Sequence, residues 1–321
     1  MSLTARLRGA AFALLLVTTA LVGSTLLLPP AILIPLGFKK LYAKYASVIA
    51  WWWFSCAAAA IEVIGGVRYE IAGDVPDDEK VLVICNHHCR LDWLYLWPVV
   101  MRHGRCGALH VTLKDSLRSA PFFGWAMQAF GFAFVSRRDR AGDLDVIQSS
   151  LAGRTPLWAL LFPEGTDLSE SNVAKSQKHG ATLKPPIKWS HVLVPRAAGF
   201  AAAVEAMGSP VIYDLTIAYD NDGRPDEPSM LAGRFPRRVI VRADRHRPPR
   251  DAKKWLFERW ALKEERLAAG LTGEPSASSN ALVHVLCGAF IAALACYALC
   301  VDWRVRRVFY ATSALWVGVG K

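Results

Sequence analysis

A histidine and an aspartate that could share a proton lie five positions apart, His87 and Asp92, directly after a short apolar run at residues 81–85. In a turn from a strand into a helix, this spacing lets the carboxylate fold back onto the imidazole. The carboxylate would then fix the tautomer of the ring and stabilise the imidazolium that forms when His87 takes a proton. Because the pair has no serine or cysteine as a third member, it suits a reaction in which a hydroxyl of the substrate is the nucleophile.

Two other interpretations of this stretch remain open. Cys85, His87, His88 and Cys89 crowd together as metal ligands do. A zinc site usually needs a second ligand pair in loop or knuckle spacing, and Cys85 falls within the apolar run, so a metal is disfavoured. The other interpretation is that His87 only caps the following helix, and the pair alone does not decide between that role and catalysis.

A second polar group follows the apolar run at residues 157–162, where the sequence continues with Pro163, Glu164, Gly165 and Thr166. Ligand sites of α/β proteins cluster after buried strands. Gly165 would let the backbone approach a ligand, and Glu164 and Thr166 offer polar contacts. The turn could equally be a tight connection, so its weight depends on the other signals.

Basic residues stand at the ends of further apolar runs. Arg137 follows residues 131–136, and Arg196 follows residues 192–195. Arginine forms bidentate contacts with phosphate, which makes both residues candidate phosphate ligands. Lys114 could also reach an acidic ligand, although a lone lysine is more often solvated.

Short apolar runs alternate with helix-length connections over residues 67–270, which predicts one α/β catalytic domain with a mixed, largely parallel sheet flanked by helices. The runs predicted as strands are residues 81–85, 131–136, 157–162, 192–195, 211–219 and 238–241. Helices are predicted over residues 91–101 and 251–267. Residues 271–280 are rich in Gly, Ser and Pro, which predicts a linker.

The composition indicates a membrane protein. Hydrophobic types make up 53% of the 321 residues and charged types only 20%, which excludes a disordered chain. The apolar excess is concentrated at residues 9–38, 45–61 and 281–301, and a membrane span needs about 20 apolar residues. The first run is too long for the apolar core of a cleaved signal peptide, so we expect a retained anchor. Membrane segments are therefore predicted within residues 1–66 and 281–321; the middle run and residues 308–320 are marginal as spans.

The charge is also unevenly distributed. Of the net charge of +11, residues 1–66 carry +4 and residues 281–321 carry +3; within the middle of the chain, basic residues are concentrated at 101–140 and 234–266. In a chain with membrane segments, anionic lipid headgroups match such patches better than nucleic acid does. Four of the seven cysteines fall in predicted membrane segments, and the odd number implies no disulfide framework.

Four of these stretches resemble, in the same order, the motif blocks of the glycerolipid acyltransferases. Asn86, His87 and Asp92 match the block NHxxxxD. The other three blocks are GxxFxxR at residues 131–137, FPEGT at 162–166 and VxPR at 194–196. The stretches FGWAMQ and HVLVPRAAGF resemble sequences of the family branch that contains the 1-acylglycerol-3-phosphate and lysocardiolipin acyltransferases. His88 departs from the Arg or Gln expected there, which would alter headgroup contacts rather than the chemistry.

The resemblance implies that a fatty acyl group passes from acyl-CoA, as co-substrate, to the free hydroxyl of a lysophospholipid. It makes His87 the general base on that hydroxyl and Asp92 the residue that orients it, with no metal or redox cofactor. The residues implied to hold the glycerol phosphate are Arg137, Glu164, Gly165 and Thr166, with Lys114 and Arg196 as further phosphate ligands. It also implies the endoplasmic reticulum membrane, with the catalytic domain on the cytosolic side.

Three alternatives stay open at the level of sequence. They are a CoA-independent phospholipid transacylase, a hydrolase that transfers the acyl group to water, and an inactive membrane-anchored scaffold that binds lipid. The acceptor is open as well, because lysophosphatidate, lysocardiolipin, lysophosphatidylglycerol and lysophosphatidylinositol are all compatible with one arginine and one Glu-Gly turn.

Overall fold

The structure of the protein is a computed structural model that describes residues 2–73, 78–136, 138–220, 225–277, 280–301 and 307. Within these residues the helices are α1 (Leu3–Leu27), α2 (Lys39–Val63), α3 (Asp92–Tyr95), α4 (Trp97–Arg102), α5 (Phe123–Ala129), α6 (Arg140–Leu151), α7 (Glu170–Gly180), α8 (Ala197–Met207), α9 (Glu227–Leu231), α10 (Ala252–Ala269) and α11 (Ala281–Val301). The strands are β1 (Arg68–Gly73), β2 (Lys80–Cys85), β3 (Leu109–Lys114), β4 (Ala133–Val135), β5 (Leu157–Leu161), β6 (Val211–Tyr219), β7 (Arg238–His246) and β8 (Glu274–Ser276).

The strands form one sheet in the order β4-β3-β5-β2-β6-β7-β1-β8. From β4 to β6 every neighbouring pair is parallel. β7 then runs antiparallel to β6, β1 runs parallel to β7, and β8 runs antiparallel to β1. The predicted α/β class with a mixed, largely parallel sheet is confirmed.

The central strand β2 is buried on both faces of the sheet. Val81 and Val83 pack in a core that also contains residues of α2, α3 and α4. Leu82 and Ile84 pack in a second core with residues of α6, α8 and α10. A strand covered by helices on both sides needs a continuous apolar run, which is the property that predicted β2 from the sequence.

The prediction of a strand over residues 192–195 is wrong. The segment is extended, but its N–H groups bind side chains, in the pairs Val192 with Glu264 (3.0 Å), Leu193 with Glu164 (3.2 Å) and Val194 with Ser176 (2.8 Å). Because these oxygens take the donors that a β-ladder would use, the segment forms no strand among the described residues.

Other elements differ from the sequence patterns in detail. The patterns do not predict β1, β3 or β8, and β8 lies inside the predicted linker, where it pairs with β1. The helix predicted over residues 91–101 is divided at Leu96 into α3 and α4, next to Pro98, which has no N–H to donate. The helix predicted over residues 251–267 is α10, whose N-cap Asp251 accepts the N–H of Lys254 at 2.9 Å.

Two helices, α1 and α2, are long and apolar enough to cross a membrane by length and composition. The 21-residue α11 packs on both of them. The C-terminal half of α2, by contrast, is buried in the core of the domain, with residues 57–61 fully inaccessible. The last predicted membrane segment, residues 308–320, lies outside the described residues, and the domain boundaries stay predictions.

Candidate active site

The candidate site lies at the carboxyl edge of the parallel strands. β2 ends at Cys85, β3 at Lys114, β4 at Val135 and β5 at Leu161. Because these strands are parallel, the residues that follow them meet at one edge, where ligand sites of such sheets occur. A cleft of about 1080 Å³ opens there.

The loop that carries His87 is fixed by the buried amide of Asn86. Its Nδ2 donates to the carbonyl of Ile217 at 3.1 Å, and its Oδ1 accepts the Ile217 N–H at 2.9 Å. The side chain thus continues the pairing of β2 with β6 by one step. Leu168 donates its N–H to the His87 carbonyl at 2.8 Å, which holds the loop from the other side.

His87 Nδ1 lies 2.9 Å from Asp92 Oδ2, as the spacing of the two residues predicts. Asp92 is fully buried at the start of α3, and the His87 ring stacks on Phe162 with 4.4 Å between the ring centroids. With Asp92 ionised, Nδ1 carries the proton, which leaves Nε2 as the ring nitrogen available to a ligand. His87 lines the cleft and Asp92 lies behind it.

The alternative roles for this stretch find no support in its contacts. The N-cap of α3 is Leu91, and no side chain caps that helix. Cys85 is buried at the end of β2, and the Cys89 thiol faces Asp92 Oδ1 at 3.2 Å. Burial raises the pKa of both thiols, which favours their protonated form.

Glu164 is buried behind the cleft. Its Oε1 accepts the backbone N–H of His87 at 3.2 Å and the indole N–H of Trp260 at 3.1 Å, and its Oε2 accepts the N–H of Leu193 at 3.2 Å. Burial raises the pKa of Glu164 to about 7, although the three donors act in the opposite direction. The carboxylate therefore joins the His87 loop, the segment 192–195 and α10.

Gly165 and Arg196 form the wall of the cleft beside His87. The backbone of Gly165 has a φ of +72°, which favours glycine. A Cβ on Gly165 would lie 3.4 Å from the guanidinium of Arg196, so the arginine covers the bare backbone of the turn. Thr166 also lines the cleft, and its hydroxyl accepts from Asn172 Nδ2 at 2.9 Å.

Cations dominate the charged part of the cleft wall. Among the described residues that line it, the Lys and Arg side chains are Arg90, Lys114, Arg138 and Arg196, and the carboxylates are Asp143 and Asp167. The sequence predictions include Lys114 and Arg196 but neither Arg90, which occupies a free position of NHxxxxD, nor Arg138, which follows Arg137. The predicted ligand Arg137 lies outside the described residues.

Sequence reasoning also missed two residues that donate hydrogen bonds to the buried carboxylates of the site. Tyr219 donates its hydroxyl to Asp92 Oδ1 at 2.6 Å, and Trp260 binds Glu164. Tyr219 is 127 positions from Asp92, and no local spacing connects them. The one available signal is that Tyr219 ends the long run predicted as β6, at the same edge of the sheet.

The fold and the site define an α/β protein with a histidine–aspartate pair at the carboxyl edge of its sheet. A family model described as Acyltransferase matches residues 66–219. Lysocardiolipin acyltransferase 1 of Mus musculus is 35% identical over 289 residues, which cover 83% of this chain and 74% of the relative. The chain belongs to the acyltransferase family that includes the 1-acylglycerol-3-phosphate and lysocardiolipin acyltransferases, as its motifs predict.

Two further comparisons accompany this assignment. The probable 1-acyl-sn-glycerol-3-phosphate acyltransferase 5 of Arabidopsis thaliana is 33% identical over 235 residues, which cover 70% of this chain and 61% of the relative. The crystal structure of the 1-acyl-sn-glycerophosphate (LPA) acyltransferase from Thermotoga maritima is 17% identical, with a TM-score of 0.48, and the match covers 83% of this chain and 99% of that one.

Proposed function

We propose that the protein transfers a fatty acyl group from acyl-CoA to the free hydroxyl of a lysophospholipid at a membrane. The observation that carries the proposal is His87 in the wall of a cationic cleft, hydrogen-bonded at Nδ1 to the buried carboxylate of Asp92. A base next to bound phosphate is what a phospholipid with a free hydroxyl requires.

The proposed reaction begins with proton transfer. Nε2 of His87 accepts the proton of the acceptor hydroxyl while the hydroxyl oxygen attacks the thioester carbonyl carbon. The C–S bond then breaks, and the sulfur of coenzyme A leaves with the proton that His87 returns. Asp92 holds the ring and stabilises the imidazolium between these two events. These groups account for every proton transferred and every bond formed or broken, and we predict no metal or redox cofactor.

The cations of the cleft wall are the proposed ligands of the substrate phosphates. Lys114, Arg196, Arg90 and Arg138 line the cleft, and Arg137 stays a predicted ligand. Arginine can bind two phosphate oxygens at once, and the bare backbone of Gly165 lets a ligand come close. The family resemblance implies that Glu164 holds the acceptor. We propose instead that Glu164 supports the His87 loop, because its oxygens already accept hydrogen bonds from N–H donors.

The acceptor is proposed from the relatives, which are named for lysocardiolipin and for 1-acyl-sn-glycerol-3-phosphate. We propose one of these two as the preferred acceptor, with phosphatidate or remodelled cardiolipin as the product. Labelled oleoyl-CoA offered with each lysolipid in turn, scored for the new diacyl product, separates the two. Equal rates with lysophosphatidylglycerol or lysophosphatidylinositol would contradict this preference.

The setting of the reaction is also proposed. The apolar helices α1 and α2 would hold the domain at the bilayer, where lysolipid and product reside. We propose the endoplasmic reticulum membrane, with the catalytic domain facing the cytosol.

The decisive experiment compares the full chain with its His87→Ala variant in native membranes. We expect the variant to reach the membrane in equal amount and to lose acyl transfer by at least about a hundredfold, since general base catalysis contributes that much or more. The measurement is formation of labelled product with and without added acyl-CoA.

Other outcomes of this experiment would identify one of the alternative functions. Product without acyl-CoA would indicate a transacylase, and thioester loss without consumption of lysolipid would indicate a hydrolase. Normal turnover by His87→Ala, or no turnover by the wild type with any acceptor, would refute the proposed function.

A further inference from the structure

We propose that Tyr219 is a positioning residue for the His87–Asp92 pair, assisted by the thiol of Cys89. The inference rests on the proposed acyl transfer and adds two residues to its machinery. Neither residue is a fixed position of the four motif blocks: Cys89 occupies a free position of NHxxxxD, and Tyr219 lies outside all of them.

The contacts of Asp92 are the first observation. Its Oδ2 faces His87 Nδ1 and the backbone N–H of Cys89, both at 2.9 Å. Its Oδ1 receives the Tyr219 hydroxyl at 2.6 Å and lies 3.2 Å from the Cys89 sulfur. Because both oxygens are bound, the carboxylate cannot rotate without breaking hydrogen bonds, and the direction of the His87 ring is fixed with it.

The second observation is that Tyr219 is itself held in place. It is the last residue of β6, and its ring lies between His88 and Tyr95, with 5.4 Å and 5.5 Å between the ring centroids. Burial raises the pKa of its hydroxyl well above the usual value, so the group stays protonated and acts as a donor. The sheet therefore presents one permanent donor to Asp92 Oδ1.

The third observation is the position of both residues relative to the cleft. Neither Tyr219 nor Cys89 belongs to the described residues that line it, whereas His87 does. A change at Tyr219 should therefore alter the chemical step without altering substrate binding. Loss of the hydroxyl would leave Oδ1 with the thiol alone, and a buried charge that loses a donor is destabilised and free to turn.

The first experiment measures kcat and KM of the full chain and of Tyr219→Phe in lipid vesicles. We expect kcat to fall roughly tenfold to a hundredfold, the effect of losing a hydrogen bond to a charged group, with KM for both substrates nearly unchanged. Tyr213→Phe is the matched control, because Tyr213 is buried in the same strand and its hydroxyl faces His103 instead. The control should keep wild-type kcat.

The second experiment tests whether Tyr219 acts through Asp92. In the background of Asp92→Asn, Tyr219→Phe should cause no further loss of kcat, since the carboxylate that it holds is gone. Cys89→Ser keeps a donor beside Oδ1 and should retain more activity than Cys89→Ala. If Tyr219→Phe lowers the unfolding temperature, the comparison of Cys89→Ser with Cys89→Ala still tests the proposal.

The results that would overturn the proposal are distinct from those that would refute acyl transfer. Wild-type kcat in Tyr219→Phe, or an equal loss from Tyr219→Phe in the wild-type and Asp92→Asn backgrounds, would show that Tyr219 does not position the pair. A rise in KM at constant kcat would also contradict it. Absence of turnover in the wild type would instead refute the proposed function.

Discussion

At the scale of single residues, Glu164 combines burial with three N–H donors. Only 2% of its surface is exposed, and its oxygens bind the His87 loop, Leu193 and Trp260. A group placed in this way affects the stability of the loop that carries the proposed base. Its protonation therefore connects the pH of the medium to the site.

This arrangement predicts a pH-dependent contribution to stability. Burial raises the pKa of Glu164 from 4.5 to about 7, so between these values the folded state holds a proton that the unfolded state has released. The free energy of unfolding should therefore fall as pH rises from 4.5 to 7, by about 3 kcal/mol from this group alone, and level off above 7. In Glu164→Gln that contribution should vanish.

The measurement is denaturant unfolding of wild type and Glu164→Gln across this pH range. Glu265→Gln, an exposed position on α10, serves as the matched control and should follow the wild-type curve. A constant difference between wild type and Glu164→Gln from pH 4.5 to 7 would contradict the prediction.

Residues that interact locally were predictable, and residues that interact across the fold were not. His87 and Asp92 are five positions apart, so the geometry of one turn brings them together. Tyr219 and Trp260 reach the same site from β6 and α10, and only the folded sheet makes them neighbours of Asp92 and Glu164. A single sequence contains no signal for such pairs apart from their place at strand ends.

At the scale of elements, α10 is attached to the sheet by buried charges. Lys263 is fully buried on α10, with Nζ 2.7 Å from Asp214 Oδ1 on β6, and it donates to Thr216 Oγ1 at 3.2 Å. Arg259, one turn earlier, binds Asp214 Oδ2 at 2.6 Å. The sequence predicts a helix over residues 251–267, but the reason for a lysine on its buried face is visible only once β6 is packed against it.

Removing one member of this network should be costly. Lys263→Met would leave Asp214 with one cation in a buried site, and breaking a buried pair costs about 3–5 kcal/mol. We expect a loss of that order in denaturant unfolding, with little dependence on salt because the pair is shielded from water. Lys254→Met, on the exposed face of α10, is the matched control and should change stability by less than about 0.5 kcal/mol.

If Lys263→Met proved as stable as the wild type, the prediction would be wrong, and the apolar packing of Leu256 and Trp260 would suffice to hold α10.

The segment 192–195 is a second case in which contacts across the fold decide the structure. Its apolar pattern predicts a strand, and only the side-chain acceptors on other elements explain why it joins no ladder.

At the scale of the whole molecule, the apolar helix α2 is part of the same domain as the cationic cleft. α2 contributes buried residues to the core of the sheet domain and also packs on α1 and α11. Large apolar side chains of α1 remain exposed, among them Leu14 at 69% and Val17 at 68%. Apolar surface of this extent is costly in water and favourable in lipid. The sequence predicted these segments from composition, but not that α2 would complete the core.

The proposed contact of α1 with lipid predicts the behaviour of a paired variant. Arginine at a helix centre costs about 2.5–3.5 kcal/mol in membrane insertion, so Leu14→Arg with Val17→Arg should weaken membrane retention by roughly 5–7 kcal/mol. Because both side chains point away from the core, the domain itself should stay folded. We expect a larger fraction of the doubly substituted chain than of the wild type to leave the membrane pellet on alkaline carbonate extraction. Ala201→Arg, an exposed position on α8 at the other face of the sheet, should remain in the pellet. Unchanged retention of the Leu14→Arg/Val17→Arg chain would mean that this face of α1 does not meet lipid.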